Sequence, residues 1–91
     1  MLTREEIIQA VAEAAPKYPV QRVHLFGSYA DGSATENSDV DFYVEFSQSP
    51  ISLFKIMGFR GMLERLLGKD VDIVKHCPHA EADGMVCIYE A

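Results

Sequence analysis

A chain of 91 residues has the size of one domain and buries only about 60% of its unfolded surface, yet its 48% hydrophobic content, with five Phe and four Tyr, excludes a disordered tail. A net charge of -6 excludes a protein whose main role is to grip nucleic acid, because that needs a basic surface against the phosphates. No apolar run approaches the ~20 residues of a membrane span, "MLTREEIIQA" lacks the apolar middle of a signal peptide, and two cysteines, Cys77 and Cys87, read as free thiols, so the expected location is the cytoplasm.

Thr3 followed by Glu6 fits a capping box, and Ile7, Ile8, Val11 and Ala15 recur at helical spacing until Pro16, which predicts a helix over 4–15. Val20 to Phe26 is rich in β-branched and aromatic residues and stops at Gly27, as a strand would. Asp39 to Phe46 alternates strictly: Val40, Phe42 and Val44 take one face, while Asp39, Asp41, Tyr43 and Glu45 take the other.

Residues 52–67, "SLFKIMGFRGMLERLL", have helix punctuation in Ser52 and Gly68, although interior Gly58 and Gly61 each cost up to ~1 kcal/mol relative to alanine. Leu53, Ile56, Met57, Leu63 and Leu67 share one side of the wheel, and Phe59, Met62 and Leu66 widen the apolar arc beyond what one core needs. "KDVDIVKH" reads as a third strand, with Val71 and Ile73 facing opposite to Asp70 and Asp72. In the tail, "HAEADG" fits a helical turn stopped by Gly84 and "MVCIYE" a short strand. This order predicts a single α/β (α+β) domain over 1–91, a small mixed sheet with helices packed on one face.

Chemistry concentrates in "LFGSYADGSATENSDVDFYV". A strand that turns at Gly27-Ser28 offers backbone N–H groups and a hydroxyl to an anion such as phosphate. Asp39 and Asp41, two apart on a strand, project the same way at roughly 6.5–7 Å of backbone separation, close enough to share a cation, and oxygen-only ligands select magnesium or manganese over zinc. Asp70 and Asp72 could add a further carboxylate if their strand neighbours the second. Carboxylates ~5 Å apart repel by about 3 kcal/mol at an effective dielectric near 20, so such a cluster calls for a cation, for protonation, or for solvent. An ordinary half-buried strand with its acids in water is the plainer explanation of Asp39 and Asp41 taken alone.

Gly27-Ser28, ten residues and then Asp39-Val40-Asp41 resemble the Gly-Ser, spacer, Asp-x-Asp signature of the polymerase-β-like nucleotidyltransferase superfamily, and in particular its minimal nucleotidyltransferase branch. "LLGKDVDIV" resembles the segment that carries the third carboxylate, and "DGMVCIYEA" the usual chain end, so the resemblance covers most of residues 20–91. It implies that Gly27 and Ser28 bind the triphosphate of ATP or another NTP, and that Asp39 and Asp41 ligate one or two magnesium ions. Asp72 is then the third acid, which helps hold metal and deprotonates the acceptor hydroxyl. Asp70 is left as a solvated strand-start residue, and Ser38 with its loop shapes the turn. Members of this branch commonly carry a basic residue after "GSYA"; here Asp31 stands there, which weakens nucleotide binding unless Lys55 or Arg60 substitutes.

Proteins resembling this branch often partner a helical HEPN-domain protein in toxin-antitoxin pairs, which gives the wide arc of residues 52–67 a second use as an interface in a homo- or hetero-oligomer. The expected function is therefore Mg-dependent transfer of a nucleoside monophosphate, AMP from ATP, to a hydroxyl of a HEPN toxin by its antitoxin. The alternatives are a non-catalytic module that occludes that toxin, and transfer to a small-molecule hydroxyl. His76, Cys77 and His79 lack a recognised zinc spacing and an evident fourth ligand. His24 reads as a partly buried structural residue, and Glu45 as solvent-facing.

Overall fold

The computed structural model describes residues 1–77 and 84–91; His79 and most of "HAEADG" lie outside them. Thr3 Oγ1 accepts from the Glu6 N–H at 3.1 Å and Glu6 Oε1 accepts from the Thr3 N–H at 2.9 Å, so the capping box opens α1, Arg4–Ala14. The chain then tightens into a 3₁₀ turn at Ala15–Lys17, with Pro16 early in it, so the α-helix ends one residue before the expected limit. Ile7, Ala10, Val11 and Ala14 are the residues α1 buries, whereas Ile8 is turned outward.

Strand β1 spans Val20–Phe26, β2 spans Val40–Phe46, β3 spans Val71–Val74 and β4 spans Val86–Glu90. They form one sheet in the order β3-β2-β1-β4. β1 runs antiparallel to both β2 and β4, while β2 and β3 are parallel. A parallel neighbour requires a crossover, and the helix between β2 and β3, Leu53–Leu67, supplies it. Its Ser52 Oγ caps the Phe54 N–H, and Gly68 closes it in a left-handed conformation. Between β1 and β2 the structure adds an element that propensity did not announce, a four-residue helix at Ser28–Asp31. In chain order these two helices are α2 (Ser28–Asp31) and α3 (Leu53–Leu67).

One face of the sheet, formed by Val23, Leu25, Val40, Phe42, Val44 and Val71, packs against α1 and α3 in a single buried core. From α3, Phe59, Leu63 and Leu67 enter that core, while Leu53 is 69% and Met57 56% exposed. The apolar side read from the wheel is thus rotated, because the position of α1 decides which part of a wide arc is covered. α1 lies along the C-terminal half of α3: Leu66 shares a groove with Glu6, Gln9 and Glu13, and Tyr18, just beyond α1, reaches Gly58. A Cβ at Gly58 would stand 3.0 Å from the Tyr18 ring, so this helix-weakening glycine serves close approach, and the same ring meets Phe59 at 5.6 Å between centroids.

Candidate active site

The other face of the sheet carries the polar alternates. Asp41 and Asp72 are register partners on parallel β2 and β3, one row of the sheet. Strands in register lie about 4.8 Å apart, so the two side chains rise side by side. The next row holds His24 opposite Tyr43, and the next Arg22 opposite Glu45. Asp39 is exposed and precedes β2, which opens at Val40 rather than at Asp39. It lines a polar cavity of about 420 Å³ with Glu36, Ser38, Lys69 and Asp70, a depression that neither Asp41 nor Asp72 lines. Among the described residues, no three of His, Cys, Asp or Glu are gathered closely enough to hold a metal ion. The structure therefore brings together two of the three expected acids and leaves Asp39 at the entry to the strand.

The Gly-Ser corner meets that row directly. Phe26, the residue before Gly27, is the register partner of Asp41. Gly27 has φ 74° and ψ -153° and is the N-cap of α2. Its carbonyl accepts from the Ala30 and Asp31 N–H groups at 3.0 and 3.1 Å, while the first N–H groups of any helix lack partners within it. A Cβ on residue 27 would overlap the Asp41 carboxylate, with Asp41 Cγ 3.2 Å away. Glycine is required twice over, for the left-handed φ and for the space.

The loop from α2 to β2 is built from local polar contacts. Thr35 N–H donates to Ser38 Oγ at 2.8 Å and Ser38 N–H to the Thr35 carbonyl at 3.1 Å, the turn-shaping role expected of Ser38. Asp31 Oδ1 accepts from the Ser33 N–H at 2.9 Å and from its hydroxyl at 2.6 Å, and these bonds hold the Asp31 carboxyl below its ordinary range. Asp31 thus acts as a turn cap. Neither cation expected to replace a basic residue there points toward α2. Lys55 donates to Gln48 Oε1, and Arg60 to the Val71 carbonyl at 2.7 Å beside Glu64. Arg4 Nη2 is the guanidinium that reaches α2, donating to the Ala30 carbonyl at 3.0 Å.

Along the open face, His24 Nε2 lies 2.8 Å from Glu45 Oε2, and the His24 ring stacks on Tyr43 at 5.0 Å and 17°. Arg22 bridges Glu45 at 3.5 Å and Glu90 at 2.9 Å, joining β2, β1 and β4. The His24 contact, then Arg22, draws the Glu45 carboxyl below its ordinary range, while burial and then Glu45 push the Tyr43 hydroxyl up. Glu45 is therefore partnered rather than simply solvent-facing, and His24 is partly buried as expected. The alternation of "VQRVHLF" already placed Arg22 and His24 on one face; only their pairing with β2 was hidden. Cys77 and Cys87 are free and exposed, and His76 is exposed.

Residues 4–89 match the nucleotidyltransferase domain. The chain belongs to the nucleotidyltransferase domain family. It is 42% identical over 78 residues to the protein adenylyltransferase MntA of Thermococcus cleftensis, covering 81% of this chain and 78% of that relative. A relative from Methanocaldococcus jannaschii is 37% identical over 71 residues, covering 78% of this chain and 75% of its own. Among solved structures, one named as a minimal nucleotidyltransferase superposes with TM-score 0.67 at 34% identity, over 85% of this chain and 80% of that one. A toxin-antitoxin structure containing AMP-PNP superposes with TM-score 0.73 over 99% of this chain and 75% of that one; its 23% identity speaks for the shared fold. This nucleotidyltransferase therefore has the expected fold class, with the Gly27-Ser28 corner and the Asp41–Asp72 row adjoining in it.

Proposed function

We propose that this nucleotidyltransferase transfers AMP from ATP, with magnesium, to a hydroxyl of a partner protein, and that the partner is the HEPN toxin of a toxin-antitoxin pair. The observation that carries this reading is the contact of Gly27 with Asp41 and the pairing of Asp41 with Asp72, which set an anion-binding corner against two carboxylates. The donor chemistry fits magnesium, which takes oxygen ligands and is held by one or two carboxylates plus substrate phosphates rather than by a protein-only cage. Asp41 and Asp72 would hold it, together with Asp39, the remaining acid of the resemblance, which in this structure stands at the entry to β2. Bound there, the ion would neutralise phosphate charge and lower the pKa of the acceptor hydroxyl.

The residues of the chain divide the work between them. Gly27 and Ser28 hold the triphosphate through backbone N–H groups and the Ser28 hydroxyl. Asp72 takes the proton as the acceptor oxygen bonds to the α-phosphorus and pyrophosphate leaves. Support for a protein acceptor comes from the Thermococcus relative, named as a protein adenylyltransferase, and support for the pair from the toxin-antitoxin structures that share the fold. The test is transfer of label from α-labelled ATP to the co-purified partner. Wild type should label it in magnesium and not in EDTA, and Asp41→Ala should fail while keeping its circular dichroism spectrum. Labelling that persists in Asp41→Ala would refute the assignment.

A further inference from the structure

The chain entering β2 is tied to the chain entering β3 at two consecutive residues. Lys69 Nζ donates to the Glu36 carbonyl, and the Asp70 carbonyl accepts from the Val40 N–H at 3.1 Å. Asn37, Ser38 and Asp39 lie between the two tied positions. Thr35 Oγ1 accepts from the Asn37 N–H at 3.3 Å and Ser38 Oγ from the Thr35 N–H at 2.8 Å, so the segment that leads to Asp39 is folded back on itself. Backbone fixed at both ends of so short a span leaves Asp39 few conformations to lose when it takes a ligand.

The support is itself braced. Gly68 ends α3 in a left-handed turn, its N–H donating to the Glu64 carbonyl at 2.8 Å. The Glu64 carboxylate accepts from the Val71 N–H at 3.1 Å, and Arg60 donates to the Val71 carbonyl at 2.7 Å. The backbone is thus held on either side of Lys69, whose stem reaches across from a fixed base. Half-buried Lys69 shares its depression with Glu36, Asp39, Glu64 and Asp70, yet among the described residues it forms no ion pair. A lysine set among four carboxylates that bonds a main-chain carbonyl instead is holding the chain.

We infer that Lys69 is a positioning residue for Asp39: through the Glu36 carbonyl it fixes the strand entry from which Asp39 is presented to a divalent cation, two residues before Asp41. The inference rests on the reading of Asp39 as a metal ligand and adds what holds that ligand in place. Asp41 and Asp72 are set by the register of β2 and β3, whereas Asp39 precedes β2 and stands outside that ladder. Lys69 supplies the missing constraint from outside the Gly-Ser and Asp-x-Asp motif. Groups that orient a ligand from behind contribute about 10–100-fold to metal affinity. Charge alone predicts the opposite sign, because taking a cation away from four carboxylates would tighten their hold on a divalent ion.

Nuclear magnetic resonance of the isotope-labelled chain tests the inference by two readouts, neither of them activity. One is binding of Mn2+ alone, followed by paramagnetic broadening of the Asp41 and Asp72 amides; the other is amide exchange without metal. Lys69→Met should keep its circular dichroism spectrum, bind Mn2+ ~10-fold more weakly than wild type, and exchange its Ser38 and Val40 amides ~10-fold faster. Lys69→Arg keeps a donor and should restore both values. Lys55→Met removes the same charge beside Gln48 and should change neither. Tighter Mn2+ binding by Lys69→Met would assign Lys69 an electrostatic role and overturn the inference. Unchanged affinity or unchanged exchange in that variant overturns it too, as does a wild type whose amides Mn2+ does not broaden. Label transfer from ATP by wild type separates these failures from failure of the transferase reading: transfer that persists beside any of them leaves that reading standing without Lys69.

Discussion

Gly27 and Asp41 occupy a space with no room for a methyl group: the carboxylate of Asp41 fills the position that a Cβ on residue 27 would take, at a backbone φ of 74°. The substitution Gly27→Ala therefore brings left-handed strain of about 1–3 kcal/mol and displaces Asp41. We expect a lowered melting temperature and a fall in transfer of at least ~100-fold, since misplacing a reacting group by 1 Å is enough for that. Thermal unfolding and single-turnover transfer, measured on the same preparation, check both parts.

Asp41 and Asp72 stand opposite each other in adjacent strands, and like charges so placed oppose folding. Asp72→Asn should leave the nucleotide-free protein as stable as wild type or up to about 1 kcal/mol more stable, while transfer drops by ~1000-fold. Magnesium with ATP at 100 times its dissociation constant should stabilise wild type by about 2.7 kcal/mol. EDTA should remove that gain, and Asp72→Asn should lack most of it. Calorimetric scans with and without EDTA measure each value.

Glu45 is held below its ordinary range by His24 and then Arg22. A depressed carboxyl contributes stability that is fully present above the unfolded value of 4.5 and is lost as pH falls through the lower folded value. Glu45→Gln should accordingly cost about 0.5–1 kcal/mol at neutral pH, in keeping with partly exposed ion pairs, and less near pH 3. Urea titrations of both proteins at the two pH values decide it. A difference that grew on acidification would contradict the sign.

At Asp31 the turn and the nucleotide make opposite demands. Its carboxylate holds Ser33, while the branch that the sequence resembles commonly has a cation there. Asp31→Arg should lower stability slightly as the turn bonds are lost, and lower the KM for ATP severalfold. Initial rates over a range of ATP concentrations, at fixed partner, report the KM.

The legibility of the sequence varied with the range of the interaction concerned. The capping box, Ser52, Gly68 and the alternation of β2 act over a few residues, and each element appeared where its local chemistry placed it. α2 did not, because four residues carry too little periodicity to register and because Gly27 ends β1 as readily as it starts a helix. The outward turn of Leu53 and Met57 depends on where α1 stops, a tertiary fact that the wheel of α3 does not contain. The same holds at the site. Spacing made Gly27, Ser28, Asp39 and Asp41 conspicuous, but strand order decided that Asp72 partners Asp41, and register placed Glu45 beside His24.

The most direct test of protein adenylylation is the intact mass of the partner protein, co-expressed with this chain and incubated with magnesium and each NTP in turn, with Asp39→Ala as control. The partner should gain one or more AMP units with ATP and wild type, and none with the variant or in EDTA. A stable complex whose partner mass is unchanged by wild type under every nucleotide would contradict the transferase reading.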